Sequence, residues 1–477
     1  MQWLMLVVTL VVLALLQKIA RAGGGGGGPL EAQATLALGS LTLVAYIAGA
    51  IVQRFRLPRI IGYLVAGFVA GPAWLKLARG PELQTLDVIQ SGALTLIAFA
   101  VGNELTLDPL RGERRNALLR IVVGAMAGPF LFVALVVLTV SPWFPLTAHQ
   151  PFRDALVVAL ALGTMAAVSS PTLTWAVISD VGADGGRRGG RGGDALSRAM
   201  LDVSVLQDLA AVVLFVVVLA LALPLGSGGA VRPGVAGQAL LIIGGSIVAG
   251  VALGVATTQY LRVIQQHLVW MLVVFAFVVA QLVRLTGMDA ALLGLAAGCA
   301  LRNVAPEHSA RVRAELKRCA IPVYVVFFAL AGSNLRLDAL DDMWPWALLL
   351  VALRVTGLWG GLRWAGSGKG QQAVSAEWIN YGWLGLVSQG GLAITLAAVL
   401  RRAFPEWNVT LEALLVAMIG VHQLAGPICF NWVLRRAGEA TDSAAVGGGS
   451  VGETNARNGA TVGSGDSVVV DGSGSRV

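Results

Sequence analysis

The 477-residue sequence contains little charge for its length. Charged residues make up 13% of the chain and hydrophobic residues 56%, and the mean hydropathy is +0.77. A soluble protein of this size needs a larger charged surface, so the balance excludes an ordinary water-soluble fold and indicates a membrane protein. The net charge of +8 therefore has to be explained by membrane topology, and we expect no nucleic-acid partner.

Cysteine and histidine are also scarce. The three cysteines lie far apart in apolar segments without a CxxC pair, and the four histidines are dispersed, with no HExxH sequence. Closely spaced cysteines and histidines are the usual signs of disulfide frameworks, zinc sites and metal-dependent catalysis. We therefore predict no cofactor and no structural metal, and an enzyme is the less favoured interpretation.

Long apolar segments dominate what is present. Candidate membrane spans lie near residues 32–53, 60–75, 88–107, 116–140, 154–178, 199–223, 237–258, 268–283, 288–301, 319–335, 344–362, 378–400 and 411–434. Since about 20 apolar residues cross a bilayer as a helix, they predict an all-α polytopic membrane protein with about 13 transmembrane helices. The transmembrane domain covers residues 32–436. Residues 1–31 are predicted to be a signal-like or extra apolar segment with a glycine-rich linker, and residues 437–477 a disordered cytoplasmic tail.

Lysine and arginine are divided unevenly between the two sets of loops. If the first span begins outside, 21 basic residues fall in the loops of one side and 8 in those of the other. Loops rich in basic residues stay in the cytoplasm. The count predicts a multi-pass protein of the plasma membrane, in bacteria the inner membrane, with a cytoplasmic C-terminus.

A short internal repeat connects the third and tenth spans. Residues 99–110 and 328–340 each begin with Phe-Ala, and Leu105, Leu107, Asp108 and Leu110 recur at an offset of 230. The copies are seven spans apart, so they run through the membrane in opposite directions. This arrangement is typical of the inverted repeats of secondary transporters, with chance similarity as the alternative.

Two spans that are also seven apart contain residues that weaken helices. Span five contains Ser169-Ser170-Pro171-Thr172, and span twelve contains Ser388-Gln389-Gly390-Gly391. Proline lacks an amide donor and glycine costs helix stability, so each motif alone indicates at least a kink. Their matching positions predict two discontinuous helices whose ends face one another near the midplane.

Two charged residues lie deep inside predicted spans. If span six begins near Ala199, Asp208 is about 14 Å along a helix that crosses a core about 30 Å thick. Arg354 is too far from both ends of span eleven for its side chain to reach water. Charges at this depth face a partner, an ion or a cavity, although a structural role is the alternative for both. Arg354 is predicted to pair with Asp208 or with the carbonyl ends of the broken helices.

Five features carry a family resemblance: the stretches 57–67 and 102–105, Gln207-Asp208, Arg354 and the stretch 385–391. With them, the chain resembles the Kef-like branch of the monovalent cation:proton antiporter superfamily, whose transmembrane domain is sodium/hydrogen exchanger-like. The resemblance implies a six-plus-six inverted repeat with an extra central span, two discontinuous crossing helices and a homodimer. It also implies that spans four to six and eleven to thirteen form a mobile core beside a scaffold.

The same resemblance implies where the transported ion binds. The implied site consists of Asp208, Gln207, Ser169, Ser170, Thr172, Ser388 and Gln389. Arg354 is the charge partner of the core, and it stands where lysine is frequent in the family. Glu104 and Asp202 are candidate accessory residues. Kef-type proteins often end in a nucleotide-binding domain, and none is predicted on this chain.

We therefore expect a secondary active transporter, embedded in the lipid bilayer, that exchanges Na⁺ or K⁺ for H⁺ by alternating access. Asp208 would bind either the proton or the dehydrated cation, and this competition would couple the two fluxes. The alternatives are a cation channel or uniport pathway, for example for K⁺ efflux, and a membrane-embedded enzyme.

Overall fold

The computed structural model describes residues 30–72, 74–105, 115–184, 193–222, 234–263, 268–334, 343–367, 376–403 and 408–436. The predictions for residues 1–29 and for the tail from residue 437 lie outside these residues. The same is true of the second part of each copy of the internal repeat, residues 106–110 and 335–340.

The described chain is helical, with no strand in any of these ranges. Its helices are α1 (Leu30–Gln53), α2 (Arg59–Ala70), α3 (Gly80–Gly102), α4 (Arg115–Thr139), α5 (Phe152–Ala167), α6 (Pro171–Asp184), α7 (Gly193–Ala222), α8 (Gly234–Val263), α9 (Leu268–Thr286), α10 (Ala290–Val304), α11 (Pro306–Ser333), α12 (Trp344–Gly366), α13 (Ala376–Gly385), α14 (Gly391–Ala403) and α15 (Asn408–Arg436).

The prediction of an all-helical membrane protein is confirmed. Every predicted span coincides with one helix or with a pair of helices, α5 with α6 and α13 with α14. By length and composition, ten helical segments of the described chain can cross a membrane. The count is below thirteen partly because α2 and α10 are short apolar helices of 12 and 15 residues. At about 1.5 Å per residue, neither covers a hydrocarbon core about 30 Å thick.

The helices pack in two groups. Helices α1–α3 and α8–α11 pack mainly against one another and are called the scaffold group below. Helices α4–α7 and α12–α15 form the core group, which contains both broken pairs. This division is the one that the family resemblance implies, because the core group corresponds to spans four to six and eleven to thirteen.

Direct backbone contact joins α4 to α12 inside the core group. Gly124 and Gly128 of α4 face Gly361 and Gly357 of α12, and a Cβ atom added at any of the four would collide with the opposite backbone. Small residues allow this approach, which van der Waals contact stabilises where lipid gives no hydrophobic driving force. The pair is therefore held at a separation that larger side chains would not allow.

This packing predicts opposite effects for two adjacent glycines of α12. Gly361→Ala should destabilise the protein by about 1–3 kcal/mol, because the new methyl group forces the two backbones apart. Gly360→Ala is the control, because a Cβ atom there meets open space, and alanine is the better helix former by about 1 kcal/mol. Thermal unfolding in detergent measures both. Equal melting temperatures for the two variants would contradict the close packing.

Candidate ion-binding site

Both predicted helix breaks are present. Helix α5 ends at Ala167, residues 168–170 are not helical, and α6 begins at Pro171. Helix α13 ends at Gly385, and α14 begins at Gly391 after residues 386–390. Proline suits the first position of a helix because the missing amide would have no partner there. The sequence therefore places the interruptions through the backbone chemistry of proline and glycine.

The two breaks lie against each other. Gly390 packs against the side chain of Ser170, and a Cβ atom at residue 390 would collide with that hydroxyl group. Gln389 crosses from one break to the other, where its Nε2 donates to the carbonyls of Met165 at 2.8 Å and Val168 at 3.5 Å. The predicted meeting of the half-helices is thus observed.

Arg354 of α12 joins the ends of α5 and α13. Its side chain is fully buried. Nε donates to Ala166 O at 3.0 Å, Nη1 to Val387 O at 2.6 Å, and Nη2 to Val168 O at 2.8 Å and Leu386 O at 3.2 Å. Carbonyl groups at a helix C-terminus lack backbone partners and carry partial negative charge. One guanidinium therefore satisfies the open ends of two half-helices, and of the two predicted kinds of partner Arg354 binds the carbonyl ends.

Asp208 of α7 lies beside the first break and is 8% exposed. Its Oδ1 accepts hydrogen bonds from the Ser169 backbone N–H at 3.1 Å and from Ser169 Oγ at 3.4 Å. Ser169 Oγ also lies 3.1 Å from the carbonyl and 3.2 Å from the hydroxyl of Ser204, one turn along α7. Within the described chain, Asp208 forms no ion pair with Arg354. One carboxylate oxygen is thus held by the break, and Asp208 also lines a small cavity.

That cavity has a volume of about 20 Å³. It is lined by Asp208, by Ser169, Ser170 and Thr172 at the first break, and by Gly391 at the second. Its opposite wall is the first part of α10. Its remaining lining is largely apolar, and a space of this size with polar groups on one side has room for a particle such as one water molecule. The start of α6 and the start of α14 both adjoin it, so the positive ends of two helices lie near the Asp208 carboxylate.

The amide residues of the predicted site do not line this cavity. Gln207 points to the other side of α7, where Nε2 donates to Ala125 O at 3.2 Å and Ala167 O at 2.9 Å. Like Gln389, it supports the backbone of the first break. Ser388 is buried against Gly426 of α15. The structure thus gathers the serine and threonine residues of the first break around Asp208 and places these three residues behind it.

The two predicted accessory acids also lie elsewhere. Glu104, just beyond the end of α3, forms an ion pair with Arg313 at 3.1 Å. Burial raises the pKa of Glu104, and Arg313 opposes that shift. Asp202 precedes Asp208 by six residues on α7, about 9 Å along the helix. Neither residue lines the cavity beside Asp208.

A funnel of about 1080 Å³ leads to this site from one face of the protein. Pro81 of α3, Arg284 of α9 and Asn334 after α11 lie along its wider part, and Thr172 and Gly391 lie at its narrow end. Thr172 and Gly391 also line the small cavity. The route from the funnel face therefore reaches the residues around Asp208.

The opposite face is closed by contacts between the two groups of helices. The Arg59 backbone N–H donates to Asp180 Oδ2 at 2.7 Å, and its Nε lies 3.7 Å from Oδ1. The carbonyl of Arg56, a residue with a positive φ of 59°, accepts from Asn431 Nδ2 at 3.0 Å and Arg435 Nη2 at 2.9 Å. Arg56 and Arg59 belong to the scaffold side of this contact, and Asp180, Asn431 and Arg435 to the core group.

Residues 39–435 match the family model described as "Sodium/hydrogen exchanger, transmembrane". The chain belongs to the sodium/hydrogen exchanger family. The family resemblance predicted from the sequence is thereby confirmed, and the chain is assigned to a family of transporters rather than enzymes.

Named relatives of this exchanger-family chain differ in how much of it they match. The K⁺ efflux antiporters 1 and 2, chloroplastic, of Arabidopsis thaliana are 29% and 28% identical over 181 residues, or 38% of this chain. The matched region spans only 13% of the length of each plant protein. The Na⁺/H⁺-K⁺ antiporter GerN of Bacillus cereus is 24% identical over 363 residues, which cover 75% of this chain and 85% of GerN.

A solved structure shows the same fold. The sodium proton antiporter MjNhaP1 of Methanocaldococcus jannaschii superposes with a TM-score of 0.57 at 16% sequence identity, over 87% of this chain and 99% of MjNhaP1. At this identity the comparison concerns the fold alone. The exchanger-family chain therefore has an MjNhaP1-like arrangement of helices.

Sequence reasoning missed three polar residues near the site of this family member. Ser204 lies four residues before Asp208, hence on the same face of α7, and that spacing was the available signal. Asp289 caps the start of α10 and contacts Thr395 of α14. An aspartate directly before an apolar run is an N-cap signal, but it predicts a helix start rather than a place beside another helix.

The contacts of Arg354 predict a large loss of stability on truncation. Arg354→Ala leaves four buried carbonyl contacts unmade, and losing one partner of a buried charged contact costs on the order of 3–5 kcal/mol. The stability of Arg354→Lys should lie between those of the wild type and Arg354→Ala, because an ammonium group keeps the charge but not the planar set of N–H donors. Thermal unfolding in detergent measures the series. Melting of Arg354→Ala at the wild-type temperature would show that the breaks are held by other contacts.

Proposed function

We propose that the protein is a secondary active transporter that exchanges Na⁺ or K⁺ for H⁺ by alternating access. One observation carries the proposal: a buried carboxylate, Asp208, lies between two broken helices at the end of a funnel that is open on one face and closed on the other. Buried carboxylates inside membrane spans typically belong to ion pathways. A channel would need a continuous pore, which the contacts between Arg59 and Asp180 argue against.

The arrangement around Asp208 supports exchange by competition. The hydrogen bonds from Ser169 and the nearby N-termini of α6 and α14 hold the carboxyl group in place between the two breaks. A proton or a dehydrated cation then neutralises the carboxylate, but both do not bind together. The hydroxyl oxygens of Ser170 and Thr172 are suited to help bind the cation, because alkali cations prefer oxygen ligands. Gln207 and Gln389 act indirectly by holding the break.

The identity of the cation stays open between Na⁺ and K⁺. The name of GerN includes both ions, and the names of the plant antiporters include K⁺. Selectivity depends on the size and oxygen geometry of the site when it is occupied. Liposomes with an internal pH dye, challenged in turn with Li⁺, Na⁺, K⁺ and Rb⁺, would rank the ions.

The topology completes the proposal. The ten long segments, the α13–α14 pair and the short helices α2 and α10, which are surrounded by other helices, together give thirteen membrane segments in a six-plus-six inverted repeat with an extra central span. The two breaks lie in spans seven apart, which supports this repeat. The excess of basic residues on the closed face assigns that face and the C-terminus to the cytoplasm and the funnel to the outside. We place the protein in a plasma membrane as a homodimer.

Asp208→Asn should abolish cation-driven proton movement while the protein stays folded. The amide is nearly isosteric and its oxygen can still accept from Ser169, but it does not take up and release a proton. Asp202→Asn is the control on the same helix and should retain exchange. Exchange by Asp208→Asn in liposomes at more than about a tenth of the wild-type rate, or roughly 1.4 kcal/mol of barrier, would contradict the assignment.

Exchange should move no net charge. Gln207 does not titrate, and the guanidinium of Arg354 keeps its proton throughout the working range, so Asp208 is the one proton carrier of the proposed site. One cation then replaces one proton in each cycle. With Na⁺ as substrate and K⁺ with valinomycin only as a voltage clamp, the initial rate should not change with imposed potential. A voltage-dependent rate would require a second proton carrier.

A further inference from the structure

A second buried carboxylate lies where the funnel narrows. Asp289 is 4% exposed and lines the funnel together with Gly391 and Thr395. Helix α10 begins directly after it, and the next residues, Ala291 and Leu292, line the cavity beside Asp208. Asp289 is thus within one helical turn, about 5 Å along the axis, of the wall of that cavity. An ion that moves down the funnel passes Asp289 before it reaches Asp208.

The Asp289 carboxylate accepts hydrogen bonds from two donors. Oδ1 accepts the Leu292 N–H at 2.7 Å, and Oδ2 accepts the Thr395 hydroxyl at 2.5 Å. The Asp289 backbone N–H donates to Ser246 Oγ at 2.9 Å. Both donors to the carboxylate are neutral, and in the described chain no lysine or arginine forms an ion pair with it. The Asp289 carboxyl group, which caps the start of α10, therefore lies beside the path without a paired cation among the described residues.

The remaining lone pairs of these oxygens suit a cation. Each carboxylate oxygen of Asp289 uses one acceptor position for its donor and has another available. The Thr395 hydroxyl oxygen also keeps acceptor capacity while it donates. A carboxylate and a hydroxyl at a narrow, low-dielectric neck form an oxygen-lined station that raises the local cation concentration by at least about tenfold.

We propose that Asp289, with Thr395, is a second monovalent-cation station, which collects the ion at the neck of the funnel and delivers it to Asp208. This inference rests on the exchange function proposed above. In this proposal Asp289 supplies oxygen ligands to the cation and takes no part in the proton exchange at Asp208. It belongs to the scaffold group and Thr395 to the core group, so the station exists only when the two groups are arranged as they are here. Its contribution is therefore confined to the ion entering from the funnel face.

Asp289→Asn tests this with little disturbance of the fold, because asparagine caps helices as well as aspartate does. In oriented liposomes, the KM for the cation supplied at the funnel face should rise about tenfold. The kcat and the KM for the cation supplied at the opposite face should stay within about twofold of wild type. Asp87→Asn is the control, because Asp87 lines the same funnel but is exposed, where water and salt screen its charge.

Two further variants keep the test decisive. If Asp289→Asn unfolds, Asp289→Ser retains an N-cap residue and should show the same one-sided rise in KM. Thr395→Val keeps the shape but removes the hydroxyl, and it should raise the funnel-face KM by a smaller factor. A rise in the funnel-face KM for these variants with an unchanged kcat supports the station.

Three results would overturn the inference. An unchanged funnel-face KM would show that Asp289 only caps α10. Equal changes in KM at both faces, or a fall in kcat alone, would indicate a structural effect. A change in voltage dependence on losing the carboxylate would make Asp289 a proton carrier. If wild-type liposomes show no cation-driven proton movement, the exchange function fails instead, so the two failures are distinguished.

Discussion

The four hydrogen bonds from Arg354 to carbonyl groups are the interaction on which the site depends. Breaking a helix inside a membrane leaves carbonyls without donors, and lipid offers none. Two such breaks double the number of carbonyl groups without donors, and with it the loss of stability. Burying a guanidinium without hydrogen-bond acceptors would also destabilise the protein. Here the N–H groups of Arg354 donate to the free carbonyl groups at the ends of α5 and α13, so both sets of groups gain partners. The crossing of the half-helices is thus neutralised on its carbonyl side before any ion binds.

Once the carbonyl ends are satisfied, the amino ends of α6 and α14 are left to face Asp208. The site is therefore electrically asymmetric, with the guanidinium of Arg354 behind the breaks and the carboxyl group of Asp208 in front of them. Gln207 and Gln389 strengthen the same division, because both donate to carbonyl groups at the end of α5 and neither lines the cavity beside Asp208. This division separates the groups that hold the two breaks together from the carboxyl group that lines the cavity.

Features that depend on local chemistry could be predicted from the sequence. Pro171 and Gly390-Gly391 indicated the breaks, the length of the apolar runs indicated the helices, and the depth of Asp208 and Arg354 marked them as unusual. Features that depend on the direction of a side chain could not be predicted. The sequence does not decide whether Arg354 binds Asp208 or the carbonyl ends of the broken helices. It also does not show that the Gln207 amide points away from the cavity beside Asp208. The place of Asp289 could not be predicted either, because an N-cap residue in a sequence indicates where a helix begins but not which other helix lies beside it.

The glycine contacts between α4 and α12 also determine how the core group can move. Two helices whose backbones touch cannot rotate about their own axes or slip past each other without collision, so these motions are unavailable to the pair. Gly357 lies one turn from Arg354, and the guanidinium in turn grips both broken helices. Any displacement of the two breaks must therefore carry α4 and α12 with it. The motion that remains possible is one of the core group relative to the scaffold group, which are less closely packed against each other.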